Sequence, residues 1–262
     1  MEQFWETENR ALCLTVDIKC EGKCRFRVIA TDLKPKSKYA DRTIEVDGFR
    51  TVYLSFPVSP KKIKLRVEPV KNADKVENYI VNIKESELKT YDIHTDQDTK
   101  DFLQLAVFFS QVSGFETASP NGRLFSTKDR KFNIRYFPAI VDFATNKVLN
   151  TPARIGHQTG TIETAKVKFD TYTIPMRMII LLHEFSHKYK NPKMGLEISN
   201  EVGADINALY IYLGLGFSKV DAIYVFANVF LKAQTRSNVH RMRKIMEYIK
   251  RFENEEFAKR LT

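Results

Sequence analysis

Five consecutive residues, His183-Glu184-Phe185-Ser186-His187, have the types and spacing for metal-assisted chemistry. On a helix, positions i and i+4 share a face, so His183 and His187 present two imidazoles to one point. Two neutral imidazoles so placed can bind a zinc ion, and Glu184 projects into the adjacent sector, where a water on the ion would sit. The chain has five histidines in 262 residues, so two of them bracketing a glutamate at this interval is a specific signal. A catalytic zinc takes three protein ligands and keeps one position open. The third ligand must come from another element. Glu197, Glu201 and Asp205 recur every four residues and line one face of a second expected helix. One carboxylate there can complete the set while its neighbour a turn away accepts the free ring N–H of a ligand histidine, which fixes the tautomer.

His183-Glu184-xx-His187 followed by Asn200-Glu201-xxx-Asp205 resembles the zincin metallopeptidases of the gluzincin (thermolysin-like) type. The resemblance implies His183, His187 and Glu201 as zinc ligands, Glu184 as general base and Asp205 as the residue that orients a ligand. It covers about Thr161–Leu213, because zincins align their peptide substrate on an edge strand that precedes the active-site helix, and Thr161–Phe169 is placed for that. The His187–Glu201 interval is shorter than in thermolysin, no metzincin-type continuation with a third histidine follows His187, and residues 1–150 match no family pattern. The family's transition-state stabiliser is a downstream His, Tyr or Arg that no motif fixes. His240 is the candidate here, with Tyr210 and Arg243 behind it.

These residues need helices to carry them. A helix is expected from about Pro175 to Lys190, since proline suits a first turn and Pro192 forbids continuation. A second is expected from about Leu196 to Leu213, with Ile198, Val202, Leu209 and Leu213 as one apolar stripe. Ser218 and Asp221 open a third to about Ala233, and Ser237 opens a fourth carrying Ile245, Tyr248, Ile249 and Phe252. Upstream, Asp98 or Thr99 caps a helix to about Val112 with Phe102, Leu105, Ala106 and Phe109 on one face. Lys131–Phe137, Ile140–Phe143 and Lys147–Leu149 read as strands of a small sheet.

Residues 11–90 read as five or six short strands with period-two alternation. Glu21-Gly22-Lys23 marks a turn and Asp47-Gly48 a hairpin. The expected fold class is therefore α+β. An N-terminal antiparallel β-sandwich (1–90), for recognition or assembly, precedes a zincin-like domain (91–262) with a small sheet and a helical C-terminal half. Residues 85–97 are the expected linker.

Hydrophobic content of 43% excludes general disorder. The net charge of +10 suits an acidic partner, or a dispersed lysine-rich surface that serves solubility. The opening MEQFWETENR lacks an apolar run and no run elsewhere is long enough to span a bilayer, so a cytoplasmic protein without membrane spans is expected. Cys13, Cys20 and Cys24 read as reduced thiols on strands rather than metal ligands. His94 and His157 fall in expected loops, nothing makes Ser186 or Ser199 a nucleophile, and no phosphate-cradling glycine loop occurs.

Two functions are expected from this. The first is a zinc metallopeptidase acting on a peptide or protein substrate. The alternative is a structural or assembly protein with an embedded zincin-like domain, because the chain's overall style resembles tailed-phage proteins of the crAss-like group. That resemblance implies a virion or tail component, homo-oligomeric or co-assembled. A minor reading is nucleic-acid binding through Lys61-Lys62-Ile63-Lys64 and Arg241–Lys250.

Overall fold

A computed structural model describes residues 1–33, 37–70, 78–142, 144–156, 158–189, 191, 194 and 200–254. The fold is α+β, with an N-terminal antiparallel sheet followed by a small sheet and a largely helical C-terminal part. The chain forms two compact units, residues 1–89 with 216–218 and residues 90–215 with 219–262.

In the first unit, β1 (Glu2–Glu6), β2 (Leu12–Asp32), β3 (Lys38–Phe56), β4 (Lys62–Pro69) and β5 (Tyr79–Ser86) make one antiparallel sheet. Its order is β1-β4-β2-β3, with β5 also beside β2. The short strands expected on either side of Gly22 and of Gly48 are continuous. Both glycines have φ of 70°, and they lie close together across the β2–β3 ladder, where the register shifts between Lys19 and Lys23. Two left-handed glycines set side by side bend a ribbon without ending it, so the expected turn and hairpin are bulges. Tyr39 and Phe56 lie at opposite ends of β3, which would be roughly 50 Å apart on a straight strand. Their ring centroids are 6.2 Å apart. The ribbon therefore doubles over, and its halves pack as two layers around Leu14, Val16, Phe26, Val28, Val46 and Leu54. Cys13, Cys20 and Cys24 are buried free thiols in this unit.

The second unit opens with α1 (Gln97–Val112), capped by Asp96, which accepts the Thr99 N–H at 2.8 Å. The cap is thus two residues earlier than Asp98, which instead sits in the first turn, where its charge favours the helix N-terminus. Phe102, Leu105, Ala106 and Phe109 are its buried face. There follow β6 (Arg123–Ser126), β7 (Asn133–Phe137), β8 (Val141–Asp142), β9 (Lys147–Val148), β10 (Ala153–Ile155) and β11 (Ile162–Ala165). Strands β8 and β9 pair only with each other, and the rest form a sheet of order β10-β11-β7-β6.

The expected edge strand over Thr161–Phe169 is corrected here. Only Ile162–Ala165 is extended, and it is internal, antiparallel to β10 and parallel to β7. Lys166–Phe169 is a helical turn (α2), favoured by the i,i+4 pair of Lys166 with Asp170 at 2.6 Å. The edge beside the functional helix is β10.

The remaining elements are α3 (Ile174–Ser186), α4 (Glu201–Gly214), α5 (Lys219–Val225) running into a π-helical turn (Phe226–Phe230), and α6 (Arg236–Phe252). Every residue of α3 is buried, as is α4 from Gly203 to Gly214. The single apolar stripe expected on the second of these helices is instead burial on all sides, which marks a central helix. Lys190, Pro192, Leu196, Glu197, Ile198, Ser199 and His157 lie outside the described residues. Arg177, 1% exposed, ties three helices together. Its guanidinium donates to Ser110 O at 2.9 Å, Ser113 Oγ at 3.0 Å, Asp170 O at 3.1 Å and Phe169 O at 3.3 Å. Among the described residues no helix is long and apolar enough to cross a membrane.

Candidate metal centre

Helix α3 presents its two histidines because its opposite face is anchored. Phe185 stacks on Phe102 of α1 at 4.1 Å and on Tyr189 at 4.6 Å, with Phe132 edge-on at 5.7 Å. The helix ends at Ser186, so His187 is its C-cap residue, still in a right-handed helical conformation (φ −68°, ψ −20°). The chain beyond is held by Asn207 of α4, which donates to Ser186 Oγ and Tyr189 O and accepts the Asn191 N–H, each at 2.9 Å. Ser186 is thereby a structural anchor.

Helix α4 begins at Glu201, later than the start expected near Leu196. Asn200 caps it by accepting the Val202 N–H at 2.8 Å, which sets Glu201 in the first turn. His183 Nε2 and His187 Nε2 are 3.3 Å apart. Glu201 stands 3.7 Å from the first through Oε2 and 3.6 Å from the second through Oε1. His183 is buried, His187 half-buried and Glu201 exposed, and one donor atom from each lies within 4.8 Å of the others. Bonds of 2.0–2.2 Å in a tetrahedral site require ligand atoms about 3.3–3.6 Å apart. The two imidazoles meet that spacing and the carboxylate faces each of them through a different oxygen, so the three residues could hold a metal ion.

Asp205, fully buried one turn along α4, stands with Oδ1 3.0 Å from His183 Nδ1. The ring N–H does not point straight at that oxygen. Burial opposes the charged form of His183, yet Asp205 together with the nearby charges of Glu184 and Glu201 lifts the imidazole above its ordinary pKa. Glu184 is 7% exposed. Burial pushes its carboxyl up, against the pull of His183 and the Ile155 N–H. That N–H belongs to the free edge of β10. Gly156 N–H bonds Thr161 O and Ala165 N–H bonds Pro152 O, so the alternation of an antiparallel pair turns the peptide groups of Ala153 and Ile155 outward.

Of the other candidates, His240 is exposed, with Nδ1 3.3 Å from Arg243 Nη2, and is not brought to the group. Arg243 is paired with Glu247 at 3.9 Å. Tyr210 turns its hydroxyl to the backbone N–H of His94 at 2.6 Å. The residue of α6 that does arrive is Arg241, bonded to Asp205 at 2.8 and 2.9 Å and to Glu201 at 2.9 Å. The signal for it was present. Carrying the stripe of Ile245, Tyr248, Ile249 and Phe252 back one turn reaches Arg241, not His240.

The π-helical turn supplies a second unforeseen neighbour, Phe230, whose ring lies 4.2 Å from that of His183. Its phenylalanines gave no sign of this in the sequence, because the placement depends on one extra residue in the helical turn. Of the basic run in β4, Lys62 pairs with Glu6 and Lys64 with Glu2 across β1. Comparison with known protein families, with characterised proteins and with solved structures finds no match for this chain.

Proposed function

We propose that the protein is a zinc-dependent metallopeptidase, with His183, His187 and Glu201 holding the ion and Glu184 acting as general base. The observation that carries this reading is the convergence of His183, His187 and Glu201, one donor atom from each lying within 4.8 Å of the others, beside the buried carboxyl of Glu184. The same donor types can serve iron in six-coordinate sites. Metal analysis distinguishes the two. Zinc, when bound, supplies Lewis acidity that polarises a carbonyl and acidifies a water toward a pKa of ~7.

The chain's own groups do the rest. Glu184, raised by burial, takes the proton of the attacking water and passes it to the leaving amine. Asp205 holds His183 by its far nitrogen. The outward peptide groups of Ala153 and Ile155 on β10 are suited to an extended peptide laid along that edge, beside Glu184.

Two measurements test the reading together. Metal analysis of purified protein should find one zinc, absent from His183→Ala. Glu184→Gln should retain zinc and lose peptide hydrolysis. Cleavage by Glu184→Gln at the wild-type rate would end the peptidase assignment, and wild-type protein without zinc would end the site itself.

A further inference from the structure

Arg241 makes the two oxygens of Glu201 unequal. Its Nε and Nη2 grip Asp205 at 2.8 and 2.9 Å, and Nη2 also lies 2.9 Å from Glu201 Oε2. Without the guanidinium nothing would separate the two Glu201 oxygens, since Oε2 is 3.7 Å from His183 Nε2 and Oε1 is 3.6 Å from His187 Nε2. The distinction has a consequence for coordination. A carboxylate with both oxygens free can bind an ion through either or both, and the second oxygen would take the position that a reactant needs.

We infer that Arg241 is a positioning residue that occupies Oε2 of Glu201, leaving Oε1 as the single oxygen for the metal and one coordination position open. This rests on the zinc reading above. The guanidinium is suited to the task because it is itself immobile. Arg241 is 8% exposed and its fork is locked on Asp205, which is 0% exposed. Glu201, by contrast, has a side chain 52% exposed and would otherwise exchange rotamers freely. A rigid planar fork with several donors reaches both carboxylates at once, which a single ammonium point charge does not.

The test uses the whole protein loaded with cobalt(II). Wild type should show the intense visible absorption of a four-coordinate ion. In Arg241→Gln that absorption should fall several-fold as the second oxygen binds and the coordination number rises. A folded, cobalt-loaded Arg241→Gln with the wild-type spectrum would overturn the inference while leaving the metal site intact. Failure of wild type to bind zinc or cobalt would instead remove the metal reading. A measurement on the zinc-loaded wild type needs no folded variant, namely the splitting of the Glu201 carboxylate stretches in the infrared. A wide splitting marks one-oxygen binding, and a narrow one overturns the role given to Arg241.

Discussion

Asp205 joins the two charged systems of the centre, with His183 on one side and Arg241 on the other. Its replacement by asparagine removes an acceptor from the histidine and half the charge partnership of a buried guanidinium. Asp205→Asn should weaken zinc binding about 10–100-fold and lower stability by about 3 kcal/mol. Chelator competition and denaturant unfolding would measure both, and unchanged zinc affinity would deny Asp205 its orienting role. The raised imidazole of His183 sets a pH dependence with a definite sign. A group whose folded pKa exceeds its unfolded value of about 6.5 stabilises fully below that value. The contribution disappears as pH rises through the folded value. The metal-free protein should therefore gain stability on mild acidification, whereas zinc, which needs the neutral ring, should bind less tightly. Carboxylates held by cations act lower on the scale. Asp41, despite partial burial, is held below the usual range by Arg27 and Lys38. Chelator competition at pH 8 and pH 6 checks this, and equal affinity at the two values would contradict it.

Helix α3 is placed by its own buried cation. Among the described residues no carboxylate pairs with the Arg177 guanidinium, yet it satisfies the carbonyls of Ser110, Phe169 and Asp170 at the ends of α1 and α2. A buried charge is tolerated when it is fully hydrogen-bonded, and a side chain that removes the donors strands those carbonyls. Arg177→Met should cost about 2–4 kcal/mol of unfolding free energy in denaturant titration. A loss below about 0.5 kcal/mol would mean that the carbonyls find other partners. At this scale much was legible. The buried face of α1 follows from Phe102, Leu105, Ala106 and Phe109, and the α+β class from the change of period along the chain. Strand continuity through Gly22 and Gly48 was not legible, because a left-handed glycine serves a turn and a bulge equally well. The same holds for α2, where a Lys166–Asp170 pair overrides the alternation that suggested a strand to Phe169.

For the molecule as a whole, the helices among the described residues belong to the second unit, while Trp5, the chain's single tryptophan, lies in β1 of the first. Each unit thus has its own optical signal. Zinc that binds only the folded protein should raise the helical unfolding free energy by about 2.7 kcal/mol at a hundredfold excess over Kd. His183→Ala should abolish the shift, with Trp5 fluorescence verifying that the first unit remains folded. A helical melt indifferent to zinc and to chelator would count against the centre. The net charge of +10 also divides along structural lines. Lys62 and Lys64 are engaged by Glu6 and Glu2, and Arg241 is turned inward to its carboxylates.

The sequence by itself determined which donors exist and how they are spaced. The i,i+4 interval puts His183 and His187 on one face, and the same interval puts Glu201 and Asp205 on one face of the next helix. Periodicity states which residues share a face of one element, since that is a local property of the backbone. Which element supplies the next neighbour is not local. Only the tertiary structure decided that β10, rather than Thr161–Phe169, forms the sheet edge by Glu184. It also decided that the Phe230 ring lies against His183, and that Arg241, not His240, reaches the carboxylates. Each of these depends on how separate elements pack, and a helix turned by one residue exchanges a solvent-facing histidine for a buried arginine.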